Sequence, residues 1–155
     1  MSLIAIGLSH RTAPVAVRDR LAFNPSDIPR ASRELRSQYS GLAFVILSTC
    51  NRVELYFHDP NAQPAELCAR ARRFLAQSRS VPEAEFAEAL YTYEGQAAAE
   101  HLFRVASSLD SMVQGEAQIL GQVHEAYLAA RNEQTTDKII HSLFQKAFAV
   151  AKNVR

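Results

Sequence analysis

Cys50 stands in the run Leu47-Ser48-Thr49-Cys50-Asn51-Arg52-Val53-Glu54-Leu55-Tyr56, where one apolar stretch ends and another begins. A thiol on a turn, two positions from an arginine and among small polar side chains, is placed like a nucleophile. Reactive thiolates need partial exposure and positive surroundings. In that role Cys50 attacks a carbonyl as thiolate, and Arg52 either favours the thiolate or grips a carboxylate with its planar fork. Without chemistry, the same run is a hairpin with a buried cysteine and a solvated arginine. The turn by itself leaves both readings open.

A second polar concentration lies at residues 107–122, which read SSLDSMVQGEAQILGQ. Ser111, Glu116, Gln118 and Gln122 crowd around Gly115 and Gly121, ahead of and inside an amphipathic stretch. If Ala117 starts a helix, Ser111 and Glu116 fall in its lead-in, where backbone N–H groups favour anions. Gln118 and Gln122 are four apart and share a helical face. Such a mixture suits a ligand bearing both an amine and a carboxylate. The bland alternative is a loop in which Glu116 is a helix-terminal charge.

Five histidines occur. His10, in Ser9-His10-Arg11-Thr12, follows the first apolar run and is expected at the same end of a sheet as the cysteine turn. His101, beside Leu102 and Phe103 in a helical pattern, is a candidate general acid or base, with a purely structural role as the alternative. His58, His124 and His141 read as surface residues. No HxxxH or HExxH pair is present, so no metal site is expected. Cys68 lies on an apolar helical face and reads as core. Arg70, Arg72, Arg73 and Arg79 form the densest basic stretch, read as a solvated face with RNA contact as the minority option. Neither GxGxxG nor GxxxxGKS occurs, so these residues offer no standard turn for a dinucleotide or a nucleoside triphosphate.

The elements that must hold these residues follow from periodicity. Residues 3–8 and 42–47 are apolar strands, the latter buried on both faces. Val53, Leu55 and Phe57 alternate with Arg52, Glu54 and Tyr56, as in a half-buried strand. Ser26 can cap a helix with Ile28, Ala31 and Leu35 on one face, and Pro29 is tolerable in its first turn. Pro64 opens a helix burying Leu67, Cys68, Ala71, Phe74 and Leu75. Residues 90–93 make a last strand. The order β-α-β-β-α-β predicts an α+β, ferredoxin-like antiparallel sheet over about residues 1–94. Packed helices follow at 96–106, 117–132 and from 138 onward, with Thr136 or Asp137 capping the last. That helix carries no stop signal, so the expectation is a piece of a longer protein.

With 155 residues and a net charge of +1, the chain suits one ordinary domain and shows no global basic signal for nucleic acid or membrane. No apolar run nears the roughly 20 residues of a membrane span. Two cysteines without CxxC spacing argue against a disulfide framework, and the first residues do not resemble a signal peptide. A cytoplasmic protein is expected. A non-catalytic ferredoxin-like module binding RNA or a small ligand is the alternative function, although an aromatic RNP strand motif is missing.

Three segments resemble the catalytic N-terminal domain of the glutamyl-tRNA reductases. They are Gly7-Leu8-Ser9-His10-Arg11-Thr12-Ala13-Pro14-Val15, Ser48 to Tyr56, and His101 to Gln122 with Tyr127 beyond it. The resemblance spans essentially the whole chain, 1–155. It implies that Cys50 attacks the ester of glutamyl-tRNA to give a glutamyl thioester, which NADPH on a further domain reduces to glutamate-1-semialdehyde. This is the first step of five-carbon tetrapyrrole (porphyrin) synthesis. It also implies that Thr49, Asn51, Arg52, Ser111, Glu116, Ala117, Gln118 and Gln122 bind glutamate and that His101 is linked to activity. A homodimer and an encounter with glutamate-1-semialdehyde aminomutase are further implications. Ala117 and Ser108 depart from the family, where Pro and Gly are common.

Overall fold

A computed structural model describes residues 2–109 and 118–154. Four strands, β1 (Leu3–Ser9), β2 (Ala43–Ser48), β3 (Arg52–His58) and β4 (Tyr91–Glu94), form one antiparallel sheet in the order β2-β3-β1-β4. The fold is thus α+β around a four-stranded antiparallel sheet. Two helices rather than the expected one separate β1 from β2: α1 (Val15–Leu21) and α2 (Ile28–Gln38). Then come α3 (Pro64–Arg79) between β3 and β4, and α4 (Gln96–Ala106), α5 (Gln118–Asn132) and α6 (Lys138–Val154) after the sheet.

Strand alternation explains the layering, because successive side chains point to opposite faces. Ile4, Ile6 and Leu8 of β1 join Phe44, Ile46, Val53, Leu55 and Phe57 in a core closed by Leu21, Leu35, Leu67 and Phe74 from α1, α2 and α3. Leu3, Ala5, Val45, Leu47 and Tyr56 face the other way, against Leu102, Val123, Tyr127 and Phe144 of α4, α5 and α6. The sheet is therefore covered on both faces. That corrects the expectation of a half-buried β3: all seven of its residues are buried, including Arg52, Glu54 and His58.

Local details follow from side-chain chemistry. Helix α2 starts after Asp27 rather than at a Ser26 cap, with Pro29 in its first turn, where a missing N–H costs nothing. Asp137 caps α6 by accepting the Ile140 N–H at 2.8 Å, and its other oxygen meets His58 Nδ1 at 2.6 Å. His58 is thus not a surface residue; it is buried and ties β3 to the helical layer. Beside β2, Phe44 donates its N–H to the Thr135 carbonyl at 2.7 Å while the Thr135 hydroxyl donates to the Phe44 carbonyl at 3.0 Å. Those two bonds satisfy backbone groups on the side of β2 away from β3.

Candidate active site

The β2–β3 hairpin closes at Thr49, whose N–H donates to the Arg52 carbonyl at 2.9 Å, leaving Cys50 and Asn51 at the tip. The Thr49 hydroxyl accepts from the Asn51 and Arg52 N–H groups at 3.1 and 3.2 Å, capping the turn from within. Two outside contacts pin it: His10 N–H donates to the Asn51 carbonyl at 2.9 Å, and Phe23 N–H donates to Ser48 Oγ at 2.9 Å. These come from either side of α1, so that helix bridges the turn. Cys50 is exposed on this rigid tip, whereas Cys68 is half-buried and burial raises its thiol pKa. The two thiols thus differ in their access to solvent.

Behind the turn, Arg52 is neither solvated nor pointed outward; it is 1% exposed and its Nη1 meets Glu54 Oε2 at 3.0 Å. Glu54 is fully buried and is the hub of the site. Its Oε2 also meets Tyr91 OH at 2.5 Å and His101 Nε2 at 2.6 Å, while Oε1 accepts from Tyr56 OH at 2.6 Å. Burial pushes this carboxyl up, but the His101 hydrogen bond and charge and the Arg52 charge outweigh it and hold it at about 2. An ionised carboxylate only accepts, so each partner must donate, and His101 carries its proton on Nε2. The same carboxylate, together with burial, pushes the Tyr56 hydroxyl well above its usual range.

The backbone shows why these groups meet. Glu54, Gly7 and Tyr91 stand in one row across β3, β1 and β4. A Cβ on Gly7 would lie 2.2 Å from the Val53 carbonyl oxygen and 2.8 Å from Glu54 Cγ. The missing side chain opens a gap through which Tyr91 reaches Glu54 from two strands away. His101 comes from α4, buried, its ring stacked on Tyr93 with centroids 4.4 Å apart.

Of the residues singled out in the sequence, Thr49, Cys50, Asn51 and Arg52 share the turn, and His101 joins Arg52 through Glu54. Gln118 is exposed at the start of α5. Gln122 lines a cavity of about 300 Å³ together with Phe23, Ser48 and Ala126. Ser111, Glu116 and Ala117 lie outside the described residues. Glu54, Tyr56 and Tyr91 were not picked out by sequence reasoning; the signal available was Gly7, a glycine inside a strand pattern, which often marks a close approach. The arginines of α3 are committed within the chain: Arg70 to Asp59 and Glu66, Arg72 to Glu83, Arg73 to the Tyr39 hydroxyl. Among the described residues no group of three or more His, Cys, Asp or Glu could hold a metal ion. No strand-turn-helix among them carries the glycine fingerprint of a dinucleotide site, so the present residues do not fit NADPH. No described helix is long and apolar enough to cross a membrane.

These features define a class: an α+β domain presenting one exposed thiol on a pinned turn above a buried ionic hub. The family model described as Glutamyl-tRNAGlu reductase, N-terminal domain, matches residues 6–155. Glutamyl-tRNA reductase of Pelobacter propionicus is 50% identical over 157 residues, covering 100% of this chain and 35% of that protein. The Syntrophotalea carbinolica protein of the same name is 46% identical over 158 residues, with 100% and 34% covered. Among solved structures, glutamyl-tRNA reductase from Methanopyrus kandleri superposes with a TM-score of 0.78 at 29% identity, over 99% of this chain and 34% of that one. The chain belongs to the glutamyl-tRNA reductase N-terminal domain family. It spans about a third of the length of the relatives it matches.

Proposed function

We propose that this chain is the acyl-accepting domain of a glutamyl-tRNA reductase. The observation that carries the reading is the exposed Cys50 on a turn braced by Thr49, His10 and Phe23 and backed by the Arg52–Glu54–His101 cluster. The Cys50 thiolate attacks the ester carbonyl of glutamyl-tRNA. A C–S bond forms, the C–O bond to the terminal ribose breaks, and the ribose oxygen leaves as a hydroxyl, taking up the proton that the Cys50 thiol gave up on ionising. Thr49, Asn51, Arg52, Ser111, Glu116, Ala117, Gln118 and Gln122 are the proposed glutamate-binding set. Glu54 holds Arg52 from one side at 3.0 Å, which fixes the orientation of its planar fork. Because His101 commits Nε2 to Glu54, Nδ1 is the nitrogen able to accept a proton.

Reduction of the thioester to glutamate-1-semialdehyde, the entry to tetrapyrrole synthesis, belongs in this reading to NADPH held by residues outside these 155. A homodimer, an encounter with the aminomutase that uses the semialdehyde, and a cytoplasmic location complete the proposal; two free cysteines suit the last. The proposal includes a division into a ferredoxin-like part at about 1–94 and a helical part at about 95–155. Helices α2 and α3 covering one face of a sheet whose inner strands are β3 and β1 support that description.

The test uses a longer protein that contains this domain. Glutamyl-tRNA and NADPH should yield semialdehyde with the wild-type residue and none with Cys50→Ser. Arg52→Lys should raise KM for glutamyl-tRNA, and His101→Asn should lower kcat. Semialdehyde formation by Cys50→Ser at the wild-type rate overturns the proposal.

A further inference from the structure

Helix α1 carries a buried charge that the acyl-transfer chemistry above does not use. Arg18 stands at its midpoint and is 6% exposed, and its Nε and Nη1 are buried without a hydrogen-bond partner. A buried charge is costly unless it is paired, and a guanidinium cannot escape by losing its proton. The carboxylates of the surrounding elements are engaged elsewhere. Glu85 is held by Arg20 on the outer face of α1. On α3, which packs against α1, Glu66 is held by Arg70, and Glu83 just beyond that helix by Arg72. On β3, Glu54 is held by Arg52 and His101. Asp19 lies on the exposed face of α1. Such a cation has its counter-charge only in another state of the molecule.

The place of Arg18 in the fold names that charge. Helix α1 has seven residues, a length of about 10 Å, and is tied to the cysteine turn on either side. Ahead of it, His10 N–H donates to the Asn51 carbonyl; behind it, Phe23 N–H donates to Ser48 Oγ. Ser48 and Asn51 bracket Cys50 in the chain, so the midpoint of α1 is held over the turn between two anchors. Arg18 and Leu21, one helical turn apart, form its buried face. At 6% exposure the guanidinium has little room for a bound ligand at its head, but its field needs none, because charges interact strongly through water-poor protein. The other charged neighbours of the turn are placed differently. Arg11 is exposed, and Arg52 is tied to Glu54, whose strand neighbour Tyr56 faces the opposite helical layer. The negative charge that arises at this turn is the Cys50 thiolate.

We infer that Arg18 is a positioning residue for the nucleophile: a cation fixed under α1 that favours the Cys50 thiolate over the thiol. The inference rests on the acyl-transfer reading above, to which it adds the source of the activated thiol. Cys50 loses its proton to solvent, and the thiolate then attacks with Arg18 as its nearby counter-charge. The stability lost by burying an unpaired guanidinium is recovered in part each time the thiol ionises.

Alkylation reads the thiolate without any substrate. Modification of Cys50 by iodoacetamide is followed by peptide mapping from about pH 5 to 10, with Cys68 of the same chain as the control. Arg18→Met removes the charge and keeps an unbranched side chain. The Cys50 midpoint should rise by about one pH unit, while that of Cys68 stays in place. A more basic thiolate is also a better nucleophile, so below the midpoint the rate should fall about threefold rather than tenfold, and the high-pH plateau should not fall. Arg18→Lys, which keeps the charge, should restore most of the shift. The Tm of Arg18→Met should stay level or rise, because an unpaired buried charge has given way to an apolar chain. A purely structural arginine gives the reverse, a lower Tm with an unmoved Cys50 midpoint, and that result overturns the inference. So does failure of both Arg18→Met and Arg18→Gln to fold. Incubation with glutamyl-tRNA separates the two claims. If wild type is not acylated but the midpoint moves in Arg18→Met, the acyl-transfer reading fails and the role of Arg18 stands. If wild type is acylated and the midpoint does not move, the role of Arg18 fails and the reading stands.

Discussion

Glu54→Gln keeps the shape of the side chain that Arg52, Tyr56, Tyr91 and His101 all contact, and removes its charge. Glu54 is fully buried, and its carboxyl sits at about 2 against an ordinary 4.5. At roughly 1.4 kcal/mol per pH unit, that difference contributes about 3 kcal/mol of stability. A depressed carboxyl stabilises fully above pH 4.5, and the contribution is lost as pH falls from there through about 2. Read the other way, the variant breaks the buried ion pair in which Arg52 Nη1 meets Glu54 at 3.0 Å, and breaking such a pair costs about 3–5 kcal/mol. Both routes predict a loss of at least about 3 kcal/mol at pH 7. For a chain of this size that lowers Tm by roughly 6–12 °C. Thermal melts of both proteins at pH 7, 5, 4 and 3 provide the assay. The gap should be widest at pH 7 and 5 and should narrow at pH 4 and 3, as the carboxyl of the unfolded chain takes up a proton while that of the folded chain stays ionised. A variant melting within about 2 °C of wild type at pH 7, or a gap of constant size down to pH 3, would refute the hub.

Gly7→Ala drives a Cβ onto the Val53 carbonyl oxygen at 2.2 Å; it should cost more than about 2 kcal/mol in urea unfolding, and a near-neutral result would remove the gap argument. Near pH 7, iodoacetamide should modify Cys50 well before Cys68, whose half-buried thiol is raised by burial. Peptide mapping over time checks this, and equal rates would contradict the assigned division of roles. Asp137→Ala removes both the cap on Ile140 and the partner of His58. A loss of about 1–2 kcal/mol is expected, and amide exchange at the first turn of α6 should quicken.

The cysteine turn was legible because its chemistry is contiguous: Thr49, Cys50, Asn51 and Arg52 are neighbours in sequence and remain so in the fold. The strands and most helices were legible from periodicity. Helix α1 was not, since Arg18, Asp19 and Arg20 separate Leu21 from Val15, Ala16 and Val17 and blur the apolar period in so short a helix. The polar face of β3 read as solvated because alternation reports two faces without saying what covers the second. Helices α4, α5 and α6 cover it, so Glu54 and His58 became buried partners. The hub draws on β3, β4 and α4 across a gap in β1, and no local pattern announces a contact among four separated segments. Residues 110–117, which carry Ser111, Glu116 and Ala117, lie outside the described structure.

The central claim is that Cys50 accepts glutamate from a tRNA ester, and the mass of the intact 155-residue chain after incubation with labelled glutamyl-tRNA tests it most directly. The account predicts one glutamyl adduct, released by hydroxylamine as a thioester is, mapping to the peptide that holds Cys50 and absent from Cys50→Ser. It also predicts that adding NADPH yields no semialdehyde from these residues, which contain no dinucleotide fingerprint. An unlabelled wild-type chain, or an undiminished adduct in Cys50→Ser, would contradict it.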